Sequence, residues 1–79
     1  MARVLLFGPL RDIAGWREKD VRANTVAELK AVLTAEDAAL GAALDGKGVQ
    51  VAIDQRIMRN DTGLRANAEV AFLPPMSGG

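Results

Sequence analysis

Glu69-Val70-Ala71-Phe72-Leu73 runs directly into Pro74-Pro75-Met76-Ser77-Gly78-Gly79. The first five residues alternate as a strand does, with Val70 and Phe72 on one face and Ala71 and Leu73 on the other. The counterpart of this strand stands at the other end of the sequence. Val4-Leu5-Leu6-Phe7 is a continuous apolar run closed by Gly8-Pro9, which predicts a central strand buried on both faces. The two most apolar strands are thus the farthest apart in sequence. The economical arrangement pairs them in the middle of one mixed sheet.

Between them, Thr25-Val26-Ala27-Glu28 has the form of a capping box, in which hydroxyl and carboxylate each satisfy an orphan amide at a helix start. Val26, Leu29, Val32 and Leu33 then recur at helical spacing, giving an amphipathic helix with one apolar stripe. Ala38, Ala39, Leu40, Ala42, Ala43 and Leu44 predict a shorter second helix entered through Asp37, with Gly41 a weakness inside it and Gly46 its stop. Residues 17–22 are almost wholly polar and read as an edge strand, where charge discourages pairing with another chain. Val49, Val51 and Ile53 alternate with Gln50 and Ala52, and Asp54-Gln55 turns the chain into a short strand around residues 56–59. Asn60-Asp61-Thr62-Gly63 is a dense turn cluster. Strand, strand, helix, minor helix, strand, short strand, strand is the order of an α+β β-grasp, the ubiquitin-like architecture. It has a mixed sheet of four to five strands, one main helix packed across it and a short second helix. Residues 1–73 form the domain and residues 74–79 an extended tail.

The 79 residues hold ten Lys plus Arg against ten Asp plus Glu. With no cationic excess, neither nucleic acid nor a membrane surface is the expected partner. His, Cys and Tyr are all absent. Thiol nucleophiles, disulfides and thiolate zinc sites are excluded, as is the side chain that titrates near neutrality. Such an inventory argues against catalysis by the chain alone and implies no bound cofactor or metal. A cytoplasmic location is the expectation, because the apolar start is followed by neither a spanning run nor a cleavage-site pattern.

The tail holds the functional signal. No charged side chain occurs from Val70 to Gly79. Two prolines remove amide donors and fix φ near −65°, so the tail is expected to leave the sheet as an extended arm. Met76 and Ser77 are of modest size, and Gly78 and Gly79 have no side chain beyond hydrogen. Such a tip threads a narrow channel and delivers a terminal carboxylate to another protein's active site. A chance Gly-Gly pair at the end of a sequence is expected in about one chain in two hundred, so the pair gains its meaning from the Pro-Pro arm and the ubiquitin-like element order.

Glu69-Val70-Ala71-Phe72-Leu73-Pro74-Pro75-Met76-Ser77-Gly78-Gly79 resembles the end of the small, MoaD-type subunits of molybdopterin synthase. Val4-Leu5-Leu6-Phe7 with Leu10-Arg11-Asp12-Ile13-Ala14-Gly15 is similar to that family's first strand and following loop. Val51-Ala52-Ile53-Asp54-Gln55 resembles its middle strand, where Asn commonly stands at the position of Asp54. The resemblance implies a sulfur carrier. Gly79 would be adenylated at the expense of ATP by a ubiquitin-activating-type enzyme and converted to a thiocarboxylate by a sulfur donor protein. Gly78 and Gly79 would then enter the active site of a large subunit, in a heterotetramer, and give sulfur to a cyclic pyranopterin phosphate precursor during molybdenum cofactor biosynthesis. The acids, bases and anion-binding groups would belong to those partners. The resemblance also implies a partner-binding patch of Phe7, Ile57 and Leu73, continued by Pro74, Pro75, Met76 and Ser77, against which stands an ordinary core role for the three apolar residues.

Other readings of the same residues stay open. A carrier for thiamine synthesis usually lacks the Pro-Pro arm, whereas carriers for tRNA thiolation or cysteine synthesis are less well separated. A protein modifier joined to lysines through Gly79 needs the same activated end. An interaction module with an inert terminus would tolerate loss of Gly79. Asp12, Asp54 and Asp61 share no spacing that suggests a metal or acid–base group and read as surface or turn residues. Arg11 reads as a surface ion pair before a partner contact, and Trp16 as packing beside the first turn. The glycines at 8, 15, 46, 48 and 63 form no phosphate loop and read as turns.

Overall fold

In a computed structural model that describes residues 1–75, the strands are β1 (Ala2–Leu6), β2 (Glu18–Val21), β3 (Gln50–Ile53), β4 (Arg56–Met58) and β5 (Glu69–Leu73). They form one sheet in the order β2-β1-β5-β3-β4, with β1 and β5 parallel at its centre and every other pair antiparallel. The tail roles expected of Met76, Ser77, Gly78 and Gly79 lie outside the described residues. The helices are α1 (Pro9–Ala14), α2 (Val26–Glu36) and α3 (Ala38–Leu44). This is the β-grasp that the element order predicts, with all five strands present and one helix more than expected.

The core lies between one sheet face and the helices. Val4, Leu6, Val70 and Phe72 from the central strands meet Leu10 of α1, Leu29 and Leu33 of α2, and Leu40 and Leu44 of α3. Phe72 is fully buried at the middle of this cluster. A smaller group of Val26, Ile53 and Ala68 closes the core near the start of α2. Among the described residues no polar or charged side chain is buried, so the interior contains no unpaired group to offset.

Thr25 caps α2 as its sequence requires. Its hydroxyl accepts from the Glu28 amide at 3.1 Å, while the Glu28 carboxylate accepts from the Asn24 amide at 3.1 Å, one residue before the usual position. Asp61 adds a third cap, accepting from the Ala27 amide at 2.9 Å. Asp37 ends α2 and starts α3, where its carboxylate accepts from the Leu40 amide. Gly41 is no weakness in α3, because a Cβ there would collide with the Thr34 side chain of α2. The two helices approach closely for that reason.

Three expectations need correction. The first strand is not buried on both faces: Leu5 is half-buried and Phe7, one residue beyond β1, is 45% exposed, since helices cover only the opposite face. Residues 9–14 form α1 and not a loop, with Pro9 pre-setting its first turn. Gly63 is not a turn residue but makes an isolated antiparallel bridge to Thr25.

Candidate functional site

The helix-free face of the sheet is laid out in rows by strand register. Arg3 stands opposite Asp20 on one side and Glu69 on the other. Two residues further along, Leu5 pairs with Ala71, Ala71 with Ala52, and Ala52 with Ile57. Side chains two apart share a face, so the next row contains Leu73 beside Gln50, with Phe7 two residues on from Leu5. The face therefore changes character along the strands. Its end remote from the tail is charged, with Arg3 bridging Glu18 at 3.1 Å and Asp20 at 3.7 Å. Its end near the tail is apolar. Four strands at about 4.8 Å spacing carry that apolar band across roughly 14 Å.

Within the band, Phe7 and Ile57 are 45% and 46% exposed, and Leu73 is half-buried. Phe7 and Ile57 are not core, and Leu73 faces away from Phe72 as its alternation requires. Leu5, Ala71 and Ala52 complete the band between them. These three have no separate sign in the sequence, because Leu5 reads as core and alanines read as nothing in particular. Exposed apolar side chains grouped on one sheet face mark a surface suited to docking.

Asp54 and Gln55 form the two-residue turn between β3 and β4, and both have positive φ, 49° and 72°, as a type I′ hairpin requires. The Asp54 carboxylate secures this turn to the start of β5. It accepts from the Glu69 amide at 3.1 Å and from Arg65 Nε at 3.0 Å, while its own amide donates to the Glu69 carbonyl at 2.8 Å. The Glu69 amide first, and the Arg65 guanidinium second, hold its carboxyl below the ordinary carboxylate range. Asp54 is thus a fastener that presents Ile57 on β4. Asn at this position would tolerate the same backbone and accept the same amide.

At the tail end, Pro74 and Pro75 follow β5 directly and lie beside Gly8 and Gly48 respectively. Gly8 comes just after β1 and Gly48 just before β3, the two strands that flank β5. Asp12 lies in α1 and Asp61 caps α2, so the three aspartates single out no common site. Among the described residues no group of His, Cys, Asp and Glu is placed to hold a metal ion. Arg11 makes no ion pair among the described residues. Trp16 packs against the main core, with Lys19 5.5 Å from its ring centre. No helix among the described residues is long and apolar enough to cross a membrane.

Comparison with known proteins finds the same fold and a family for the chain. Residues 4–79 match the ThiS family. The molybdopterin synthase sulfur carrier subunit of Escherichia coli is 32% identical, with all of both chains covered. Small archaeal modifier protein 1 of Methanosarcina acetivorans superposes with a TM-score of 0.86 at 26% identity, covering 99% of this chain and 95% of that one. A chain from the complex of subunits 1 and 2 of the molybdopterin-converting factor of Helicobacter pylori superposes with a TM-score of 0.73 at 25% identity, covering 99% and 97%. The chain belongs to the ThiS family and has its ubiquitin-like fold.

Proposed function

We propose that this protein is the sulfur-carrier subunit of a molybdopterin synthase. The observation that carries the reading is the full-length likeness to a molybdopterin synthase sulfur carrier subunit, joined to the Pro-Pro-x-Ser-Gly-Gly sequence whose two prolines follow β5 at the apolar end of the sheet. A free carboxylate is a poor acyl donor because its oxygen leaves badly. Attack of the Gly79 carboxylate on the α-phosphate of ATP, with loss of pyrophosphate, gives an acyl-adenylate. Hydrosulfide released by a donor protein attacks the acyl carbon, AMP leaves, and loss of the proton leaves a thiocarboxylate. The tail then carries that sulfur into the large subunit, where transfer to the pyranopterin precursor and hydrolysis restore the carboxylate. Two such cycles supply both sulfurs of the dithiolene.

The chain's own part in this scheme is to dock and to deliver. Phe7, Ile57 and Leu73 offer the apolar contact, Pro74, Pro75, Met76 and Ser77 lead into the partner, and Gly78 and Gly79 pass the narrowest point. Adenylation, thiolation and sulfur transfer take place in the cytoplasm, where ATP, a ubiquitin-activating-type adenylating enzyme, the sulfur donor protein and the large subunit are supplied. Leu73→Lys tests the docking surface: it is expected to weaken binding to a purified large subunit, and unchanged affinity would return Leu73 to the ordinary surface. A second reading is favoured by the small archaeal modifier proteins among the structural relatives. In that reading Gly79 is joined to lysines of other proteins through the same acyl-adenylate. Lysine-linked adducts recovered from cells would favour it.

A further inference from the structure

We infer that Gly8 and Gly48 are positioning residues that aim the tail, a role that rests on the carrier reading above. The two strands flanking β5 each abut a glycine at its tail end, and each glycine meets one of the two prolines. An added Cβ on Gly8 would lie 3.3 Å from Pro74 Cγ, and one on Gly48 would lie 2.9 Å from Pro75 Cβ. Both glycines have positive φ, 57° and 86°, a conformation open to glycine at no steric cost. Their lack of a side chain lets the prolines sit against backbone on both sides of the sheet's central strand. Proline contributes a fixed φ to the same end. The direction of departure is thus set by two rigid residues resting in two notches.

Ordinary carbon–carbon contact is about 3.5–4.0 Å. Alanine at position 48 therefore forces Pro75 away by roughly 0.6–1.1 Å. Gly79 stands four residues beyond Pro75, at most about 14 Å of chain, so the place of Pro75 sets the origin from which the carboxylate must reach its reaction partner. Displacements of about 1 Å at a reacting group cost on the order of 100-fold in rate.

Backbone strain is separable from contact, because Gly15 also has positive φ, 81°, yet has nothing within 4 Å of its would-be Cβ. The test uses the full-length protein as substrate for a ubiquitin-activating-type adenylating enzyme, followed by ATP–pyrophosphate exchange. Gly48→Ala is expected to lower kcat by about 100-fold with a much smaller change in KM, since Phe7, Ile57 and Leu73 keep their places on the sheet. Gly15→Ala, matched for strain, is expected to change neither. Gly48→Ala combined with Pro75→Gly is expected to cost no more than Pro75→Gly alone, because the colliding ring is gone. In the wild-type protein a strong nuclear Overhauser effect is expected between Gly48 Hα and Pro75 Hβ. Equal losses in Gly48→Ala and Gly15→Ala, additive losses in the double variant, or absence of the Overhauser effect would each overturn the inference. A wild-type chain that is adenylated normally but indifferent to Gly48→Ala overturns the seat alone. A wild-type chain that is not adenylated at all overturns the carrier reading and the aiming role with it.

Discussion

Replacing Ile57 by lysine separates docking from folding. Ile57 lies on the outer edge strand and is 46% exposed. Full burial of such a side chain is worth roughly 1.5–3 kcal/mol, so the part still open to a partner is worth about 0.7–1.4 kcal/mol. That share alone corresponds to about a 3- to 10-fold change in Kd. Bringing an ammonium against an apolar contact adds its desolvation, and the combined effect on large-subunit binding is expected to be ~10-fold or more. Folding is largely spared. The lysine stem covers the same apolar ground while its head stays in water, and substitution effects on strands span about 1 kcal/mol. Isothermal titration against the purified large subunit, with a thermal melt of the variant alone, reads both quantities. An unchanged Kd would refute the docking face. A loss of binding matched by a collapse of the melt would show that Ile57 serves the fold.

Thr25→Ala removes the α2 cap and is expected to cost about 1 kcal/mol, a fall in Tm of roughly 4–8 °C for a domain of this size, measurable by circular dichroism. Asp54→Asn, which keeps the left-handed turn and still accepts the Glu69 amide, is expected to lower Tm at neutral pH, because the Asp54 carboxyl is held below its ordinary value by the Glu69 amide and Arg65. A depressed carboxylate stabilises the fold above its unfolded pKa of about 3.9 and loses that contribution as pH falls through the lower folded value. Wild type and variant should therefore converge in acid, and a difference that persists there would assign the effect to something other than the charge. Deleting Gly79 is expected to abolish sulfur transfer with no change in Tm, because Gly79 follows the last strand by six residues in sequence; a lowered Tm would contradict this. Gly78→Val is expected to preserve large-subunit binding while blocking sulfur transfer, and full turnover would refute a narrow channel.

The pairing of β1 with β5 was legible because two apolar runs at opposite ends of a short chain have few other places to go. The start of α2 was legible because a capping box is a local device whose partners are three residues apart. The first strand misled for an instructive reason. Val4-Leu5-Leu6-Phe7 has more apolar residues than one core face needs, and the surplus, Leu5 and Phe7, lies on the exposed face. An apolar run signals burial without saying whether the cover is the protein's own helices or a partner. Helix α1 was hidden because six residues with a single buried side chain, Leu10, present no periodicity. The work of Asp54 depends on Arg65 and Glu69, 11 and 15 residues away, and the notches at Gly8 and Gly48 depend on prolines still more distant in sequence. Such contacts exist only once the sheet is assembled.

The carrier reading turns on the fate of one carboxylate. Intact-mass spectrometry of the full-length protein, after incubation with ATP, the adenylating enzyme and a sulfur donor, reports it directly. The expected result is a mass gain equal to exchanging one oxygen for sulfur, located at Gly79 by fragmentation and lost again when the large subunit and the pyranopterin precursor are added. An unchanged Gly79, or a Gly79 found only in bonds to lysine side chains, would contradict the account.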